Sequence, residues 1–266
     1  MTNRRQKQWV LLLDIGNTHT HIGLSDGRGV VRHEDMPTAY WREGKAGRRL
    51  ARFHAAAGLA GVSLCSVVPQ ATRWARRWAR LSGSARFCEL TASSIVGLGV
   101  DYPRPETIGA DRLANALAAK TLFGAPALVV DFGTAVTFDV VDARGNYVGG
   151  IIAPGLSAMT DYLHERTALL PRVRIRSVRR YLGRSTAEAM RIGAVHGYRG
   201  LVRELIGGLR AELGVPGLPV VATGGYARLM ARGLPEIRKV DPRLTLEGLR
   251  LRSEEHTSEL QSPNTN

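Results

Sequence analysis

Two stretches of this sequence end an apolar run with an aspartate, a glycine and a small polar residue. The first reads LLLDIGNT and contains Asp14, and the second reads LVVDFGTA and contains Asp131. An apolar-rich stretch follows each copy, so each predicts a strand, a tight glycine turn and a returning strand. Glycine lets the backbone approach a ligand closely, and turn N–H groups bind anionic oxygens. Two such hairpins facing each other across a cleft would suit a phosphate chain with its metal ion.

The alternative for either stretch alone is a hairpin turn with no further role. Recurrence of the pattern at domain spacing, each time with a hydroxyl or amide side chain next to the glycine, favours a paired binding site. Other nucleotide-binding patterns are missing from the sequence, because Gly44-Lys45 is followed by Ala and Gly97-x-Gly99 has no third glycine. The two hairpins are therefore the predicted phosphate-binding elements.

The predicted elements place these hairpins in two similar halves. Each half begins with three strands and continues with alternating helices and strands, which indicates a duplicated α/β fold. A chain of 266 residues is long enough for two domains with their own cores. We predict domains at 1–115 and 116–251. In the second, the expected elements are strands 128–131, 136–141 and 147–152, helices 156–169 and 186–213, strand 220–222, helix 227–232 and strand 237–240.

Residues 252–266 abandon the alternation of apolar and polar residues that precedes them. Their sequence resembles the translation of a DNA-sequencing adaptor, so we expect a non-native tail that contributes nothing to the fold. The alternative is a genuine disordered tail.

The formal net charge of +14 invites a nucleic-acid hypothesis. Residues 73–80 interleave arginines with Trp74 and Trp78, but at helical spacing the apolar residues share one stripe and the arginines take the other face. The predicted apolar stripe is Ala71, Trp74, Ala75, Trp78 and Leu81. No nucleic-acid-binding motif accompanies the charge, so a nucleic-acid partner is not expected. The charge would still attract anionic substrates.

Cysteine content and the amino-terminal sequence predict a cytoplasmic protein. Only Cys65 and Cys88 are present, without metal-ligand spacing, and both are expected to be free buried thiols. The apolar stretch at residues 9–13 is too short for a secretory signal or a membrane span, so no membrane association is expected.

An ordered set of motifs makes the resemblance specific. The sequence contains DIGNTH from Asp14, GADR from Gly109, DFGTA from Asp131 and TGG from Thr223. Supporting matches are SVVP from Ser66, GGIIAPG from Gly149 and GRSTAEA from Gly183. Over residues 9–251 the chain resembles a type III pantothenate kinase, a member of the actin-like ATPase superfamily with a duplicated ribonuclease-H-like fold. This resemblance implies ATP-dependent phosphorylation of pantothenate, the first step of coenzyme A synthesis.

The nucleotide site is predicted to draw on both hairpins and on the TGG loop. We assign Asp14 to Mg²⁺ and its waters. The backbone of residues 16–20 and the side chains of Asn17 and Thr18 are assigned to phosphate oxygens, and Thr134 to the phosphates from the other side. The resemblance gives Asp131 a monovalent cation, potassium or ammonium, although Asp131 could instead cap its own turn. Gly224 and Gly225 resemble an adenosine-contact loop, the alternative being a plain strand-to-helix turn. The full set of nucleotide candidates in the first hairpin is Asp14, Ile15, Gly16, Asn17, Thr18, His19, Thr20 and His21.

The acceptor site is predicted around the GADR motif. Phosphoryl transfer needs a carboxylate to take the proton of the attacking hydroxyl, and Asp111 is the best candidate, with helix capping as the alternative. In the resembled family this aspartate is the base and the following arginine, here Arg112, holds the substrate. Tyr102 and Thr186 match the family's pantothenate contacts, although Tyr102 could equally be a loop packing residue. The predicted substrate-binding set is Tyr102, Gly109, Ala110, Asp111, Arg112 and Thr186.

Other hypotheses stay open at this point. They are a non-catalytic regulatory relative acting as an accessory transcription factor, and another actin-fold phosphotransferase or a phosphatase. Catalysis is favoured over binding alone, because the polar residues that catalysis would need occur together: Asp14, Asp111, Arg112, Asp131 and Thr134. The resemblance also implies a homodimer with the pantothenate pocket near the subunit interface. The apolar face of the 186–213 helical region, with its small residues, would contribute to the interface: Ala189, Ile192, Gly193, His196, Gly197 and Gly200. The alternative is that these residues pack only inside one subunit.

Overall fold

The computed structural model describes residues 9–54, 58–84 and 86–261, and these pack into two compact units. The first unit contains the described residues up to Phe123, residues 145–148 and the described residues from Arg243 onward. The second contains residues 124–144 and 149–242. These units differ from the contiguous halves expected from the sequence, because the last helix returns to the first unit.

The first unit is built around a mixed sheet. In chain order its elements before the last helix are β1 (Trp9–Ile15), β2 (His19–Ser25), β3 (Val30–Pro37), α1 (Ala39–Arg42), α2 (Ala46–His54), β4 (Leu59–Ser66), α3 (Pro69–Leu81), β5 (Phe87–Glu89), β6 (Gly99–Val100) and α4 (Ala110–Phe123). The strand order is β3-β2-β1-β4-β5. Strands β1, β2 and β3 are antiparallel neighbours, whereas β4 and β5 run parallel to β1.

The second unit repeats this arrangement. Its elements are β7 (Ala127–Phe132), β8 (Ala135–Val141), β9 (Asn146–Pro154), α5 (Leu156–Arg166), α6 (Thr186–Ile192), a π-helical turn (Gly193–Gly197), α7 (Tyr198–Glu212), β10 (Val220–Thr223), α8 (Ala227–Ala231) and β11 (Ile237–Val240). The strand order is β11-β10-β7-β8-β9-β6, with an antiparallel β7–β8 hairpin and with β10 and β11 parallel to β7. This repeated order confirms the predicted duplicated ribonuclease-H-like α/β fold.

Each of the two aspartates lies near the carboxyl end of a central strand. In β1, Leu11, Leu12 and Leu13 are fully buried, as expected for a central strand covered on both faces. In β7, Leu128, Val129 and Val130 are equally buried. Because the apolar run is fixed by the core, the residue that follows it has a defined position at the end of the strand.

The last helix, α9 (Leu244–Gln261), does not appear among the elements predicted from the sequence. It packs on α4, where the Thr245 hydroxyl donates to Asn115 Oδ1 at 2.8 Å, and on β4, where the Ser63 hydroxyl donates to the Leu249 carbonyl at 3.0 Å. The composition break at residue 252 does not end this helix. Arg252 is buried, and Glu254 accepts hydrogen bonds from Arg250 Nη1 at 2.9 Å.

Helix α3 partly follows the predicted amphipathic pattern. Ala71, Ala75 and Ala79 are buried, and the arginines are exposed. Leu81 and Trp74 were assigned to the apolar stripe but are 77 % and 37 % exposed, and Leu81 is the last residue of the helix. Among the described residues, no helix combines the length and apolar character needed to cross a bilayer.

Candidate active site

The turn after β1 presents an open loop beside a buried carboxylate. Asp14 is 8 % exposed at the end of β1, whereas Asn17, Thr18 and His19 are exposed in the turn. The N–H of Gly16 donates to the His19 carbonyl at 3.0 Å, which closes the turn. The turn can therefore present backbone and side-chain polar groups to a ligand close to Asp14.

Two predicted nucleotide contacts in this hairpin have their side chains in the core. Ile15 and Thr20 are fully buried. The Thr20 hydroxyl lies 3.1 Å from the Thr38 hydroxyl and accepts from the Trp41 indole N–H at 3.1 Å. Only the main-chain groups of Ile15 and Thr20 can therefore contact a ligand. The Thr20 side chain instead stabilises the hairpin through its hydrogen bonds with Thr38 and Trp41. These hydrogen bonds were not predicted from the sequence, since Thr38 and Trp41 lie outside the motif.

The predicted contact His21 is engaged on the neighbouring strand. Its Nδ1 lies 2.7 Å from Oδ1 of Asp35 on β3, and this hydrogen bond holds the pKa of Asp35 below its usual range. When protonated, His21 also favours the ionised form of Asp14 and so opposes the rise that burial causes in the pKa of Asp14. His21 thus belongs to the electrostatic surroundings of Asp14.

Asp14, Asp111 and Cys65 influence one another. Burial is the main cause that raises the pKa of Asp14 to about 6, and the negative charge of Asp111 raises it further. The Cys65 thiol donates to Asp14 Oδ1 at 3.3 Å. Burial and the charges of both aspartates hold the pKa of Cys65 well above its usual range. The end of β1 and the start of α4 therefore bring together the two carboxylates that the sequence assigned to metal and base.

Asp111 lies in the first turn of α4. The backbone N–H of Arg112 donates to Asp111 Oδ1 at 2.8 Å. A Cβ at Gly109 would lie 2.5 Å from the same oxygen, so the glycine makes room for the carboxylate. Burial raises the pKa of Asp111, while the hydrogen bond and the charge of Arg112 oppose this rise. A desolvated carboxylate of raised pKa is suited to accept a proton.

An aromatic cluster lies beside Arg112. The rings of Tyr102 and Tyr147 meet edge to face with centroids 6.1 Å apart, and the Arg112 guanidinium lies 5.8 Å from the centroid of the Tyr147 ring. Tyr147 is fully buried. It was predicted only as a strand residue, and no motif singles it out. The short β6–β9 pairing, in which Val100 is opposite Tyr147, is what brings Tyr102 to this ring.

The second hairpin is closely packed against the TGG loop. Asp131 is opposite Thr223 in the β7–β10 register. Gly224 has a φ of +87°, and a Cβ there would lie 2.7 Å from the Phe132 backbone and would also strike Asp131 Oδ1. Only glycine fits this position. Asp131 and the predicted adenosine loop are therefore neighbours in the second unit.

Thr134 is exposed in the turn of this hairpin, and its carbonyl accepts from the Gly155 N–H at 3.2 Å. The segment is supported by Tyr198, whose ring packs on Phe132 and whose hydroxyl donates to the Pro154 carbonyl at 3.0 Å. Burial raises the pKa of Tyr198, so this phenol stays a donor.

Thr186 and Gly225 lie at or just before the first residue of a helix in the second unit. Thr186 is the exposed first residue of α6, whose cap is Ser185, accepting from the Glu188 N–H at 3.2 Å. Gly225 follows Gly224 before α8, and a Cβ at Gly225 would meet nothing within 4 Å. Both positions are open to a ligand.

The described residues do not form a complete metal site by themselves. Within the described residues, no group of three or more His, Cys, Asp or Glu side chains is arranged to hold one. Mg²⁺ in phosphoryl-transfer sites is commonly held by one or two carboxylates together with substrate phosphates. The buried Asp14, repelled by Asp111, fits this kind of partial site, because a cation would relieve the repulsion.

Comparison with known proteins decides the family. The sequence profile described as type III pantothenate kinase matches residues 10–207. The chain belongs to the type III pantothenate kinase family. A type III pantothenate kinase of Akkermansia muciniphila is 48 % identical over 242 residues, covering 91 % of this chain and 96 % of that protein. A type III pantothenate kinase of Methylacidiphilum infernorum is 45 % identical, with 91 % and 87 % covered.

Solved structures share the fold of this type III pantothenate kinase family member at low identity. A Campylobacter jejuni protein described as a Baf family transcriptional activator superposes with a TM-score of 0.59 at 16 % identity, covering 93 % of this chain and 99 % of that one. MreB5 of Spiroplasma citri bound to ADP superposes with a TM-score of 0.56 at 12 % identity, covering 96 % and 99 %. These structures support the actin-like fold alone.

Proposed function

We propose that this protein transfers the terminal phosphoryl group of ATP to pantothenate, giving 4'-phosphopantothenate in the first step of coenzyme A synthesis. The observation that carries the proposal is membership of the type III pantothenate kinase family over residues 10–207. The partly buried carboxylate of Asp111 beside Arg112 supports turnover rather than binding alone, because a regulatory protein has no need of a base. The regulatory alternative is therefore not favoured.

Asp111 is the proposed general base. Its carboxylate accepts the proton of the pantothenate hydroxyl as that oxygen attacks phosphorus, and the ADP oxygen leaves on the opposite side. Burial raises the pKa of Asp111 and thereby strengthens it as a base. The Arg112 N–H holds Oδ1 at 2.8 Å, which fixes the orientation of the carboxylate.

Arg112 is the proposed partner of the pantothenate carboxylate. A guanidinium binds a carboxylate through two parallel hydrogen bonds, so its orientation matters. The Tyr147 ring lies beneath Arg112, and Tyr102 packs on the edge of that ring. We propose that Tyr102 and Thr186 add contacts to the remainder of pantothenate, with Gly109 and Ala110 lining the acceptor site.

The two hairpins and the TGG loop are proposed to bind ATP. Asn17 and Thr18 in the first turn, and Thr134 in the second, would donate to phosphate oxygens, while Gly224 and Gly225 would lie against adenosine. Asp14 would hold Mg²⁺ through its waters, and Asp131 would hold potassium or ammonium. These cations supply positive charge that balances the phosphates as charge shifts during transfer.

We further propose a cytoplasmic homodimer. Several large apolar side chains of the second unit are exposed: Ile152 at 63 %, Tyr162 at 62 %, Leu169 at 91 %, Tyr181 at 79 % and Leu182 at 75 %. Where exposed apolar side chains form one contiguous patch, they commonly mark a protein–protein contact. In the 186–213 region, Gly193, Gly197 and Gly200 also have open space where a Cβ would project, whereas Ile192 packs inside its own unit.

ADP release with and without pantothenate tests the proposed function. We expect ADP release in the presence of Mg²⁺ and potassium to depend on pantothenate, and to fall sharply in Asp111→Asn. ADP release at the same rate without pantothenate would indicate an ATPase or phosphatase. Nucleotide binding with no ADP release under any of these conditions would favour the regulatory alternative.

A further inference from the structure

Cys65 is a buried thiol whose contact with Asp14 has no role in the function proposed above. It lies on β4, directly opposite Asp14 in the parallel β1–β4 register. Its Sγ is 3.3 Å from Asp14 Oδ1, a normal distance for a thiol that donates to oxygen. The side chain is fully buried, so the contact is shielded from water.

The surroundings of Cys65 keep it a donor. The side chain is enclosed in the core and its Sγ faces a carboxylate oxygen of Asp14, which is an acceptor, so the thiol is the donor of this contact. The same burial makes Cys65 a poor nucleophile. Its chemistry in this position is therefore limited to donating one hydrogen bond.

The hydrogen bond distinguishes the two oxygens of Asp14. Among the described residues, Cys65 is the side chain that donates to this carboxylate, and it donates to Oδ1. In the same part of the chain, no hydrogen bond to Oδ2 is observed. Oδ1 thus already accepts a hydrogen bond from within the protein, and Oδ2 is the oxygen that remains to interact with a ligand.

We propose that Cys65 is a positioning residue, which fixes Oδ1 of Asp14 so that Oδ2 faces the magnesium-bearing phosphates. This inference rests on the proposed role of Asp14. The competing explanation is that Cys65 fills space as a small apolar side chain, which buried cysteines commonly do. The two explanations differ in whether a donor or merely a matching volume is required at position 65.

The test measures binding of ADP by isothermal titration calorimetry, in MgCl₂ and in EDTA. Cys65→Ala removes the donor and volume, Cys65→Val keeps much of the volume without a donor, and Cys65→Ser keeps a donor. Cys88→Ala is the matched control, because Cys88 is a free, partly buried thiol on the adjacent strand β5. Melting temperatures of the variants report packing separately.

We expect Cys65→Ala and Cys65→Val to weaken magnesium-dependent ADP binding about 3- to 10-fold, the range for loss of one hydrogen bond of modest strength. Cys65→Ser is expected to stay within about twofold of the wild type, a smaller loss than removal of the donor. Cys88→Ala should bind ADP with the affinity of the wild type. In EDTA, every variant should bind ADP as the wild type does. In turnover, the donor-free variants should raise the KM for ATP more than they lower kcat.

Wild-type affinity in Cys65→Val, or equal weakening in Cys65→Ser and Cys65→Ala, would overturn the inference in favour of packing. Should Cys65→Ala fail to fold, the comparison of Cys65→Val with Cys65→Ser decides the same question. Asp14→Ala separates this inference from the role on which it rests. If that variant binds ADP with magnesium as the wild type does, the role of Asp14 is wrong and the inference falls with it. If it binds weakly while every Cys65 variant binds normally, only the inference is wrong.

Discussion

Replacing Asp14 with asparagine should stabilise the ligand-free protein at neutral pH while removing its activity. Asp14 is buried beside Asp111, and both effects raise its pKa to about 6 from 3.8. Asparagine has the same shape, carries no charge and can still accept the Cys65 hydrogen bond. The variant therefore avoids the cost of a buried, repelled carboxylate but loses the proposed anionic metal ligand.

The size of this effect follows from the shift in pKa. Because the folded protein binds this proton more tightly than the unfolded chain, wild-type stability falls as the pH rises from 3.8 towards 6. Each pKa unit corresponds to about 1.4 kcal/mol, so Asp14 destabilises the ligand-free fold by up to about 3 kcal/mol above pH 6. Asp14→Asn should recover most of that free energy at pH 8 and little of it at pH 4.

Thermal unfolding in EDTA without nucleotide, at pH 4 and pH 8, measures this difference. For a chain of this size, about 3 kcal/mol corresponds to a rise in melting temperature of about 6–12 °C. Asp35→Asn is a control of opposite sign, because the hydrogen bond to His21 lowers the pKa of Asp35 and its loss should destabilise the protein at neutral pH. The reasoning is refuted if Asp14→Asn melts at or below the wild type at pH 8.

Four further predictions address the base, the cation, the tail and the assembly. Asp111→Asn should lower kcat about 10²- to 10³-fold and leave ADP affinity nearly unchanged, measured by ADP release beside calorimetry, because the amide cannot accept the hydroxyl proton. Asp131→Asn should abolish or greatly weaken activation by potassium and keep the fold, as judged from rates in KCl and NaCl and from circular dichroism. Deleting residues 253–266 removes the Glu254–Arg250 ion pair, worth about 0.3–0.5 kcal/mol, so the melting temperature should fall by only about 1–2 °C and activity should persist. Light scattering at assay concentrations should give the mass of a dimer.

Each of these predictions has a contrary outcome. Near-normal turnover in Asp111→Asn would remove Asp111 from the mechanism, and lost ADP binding would assign it to the metal site. Equal activation of Asp131→Asn by potassium would place the cation elsewhere. A fall of more than about 5 °C on truncation would mean that the tail packs on the body far more than one ion pair implies. A fully active monomer would contradict the dimer.

The parts of the fold that depend on local pattern were predictable from the sequence. The apolar runs ending at Asp14 and Asp131 specify central strands, and the glycines after them specify turns. Helix α9 was not recognised, because Leu244, Leu246 and Leu249 do not follow the 3.6-residue period and become buried through packing on α4 and on the first sheet. Its burial is a property of the tertiary structure rather than of the segment.

The same distinction applies to the site. Asp14, Asp111 and Arg112 were identifiable because each lies in a short motif that is typical of its chemistry. Tyr147 and Cys65 were not assigned roles, since their contacts depend on strand pairings between segments far apart in the sequence. Thr20 was assigned to the ligand region through its backbone, and the inward position of its side chain was not predicted, because Thr38 and Trp41 complete its hydrogen bonds in the core.

Phosphorus NMR of the complete reaction is the most direct test of the central claim. The protein, ATP, Mg²⁺, potassium and pantothenate are incubated together, and the products are identified by their ³¹P resonances. We predict a phosphomonoester resonance, assigned to 4'-phosphopantothenate, that grows in equal amount with ADP and is absent without pantothenate. Release of inorganic phosphate in place of that resonance, or no consumption of ATP, would contradict the account.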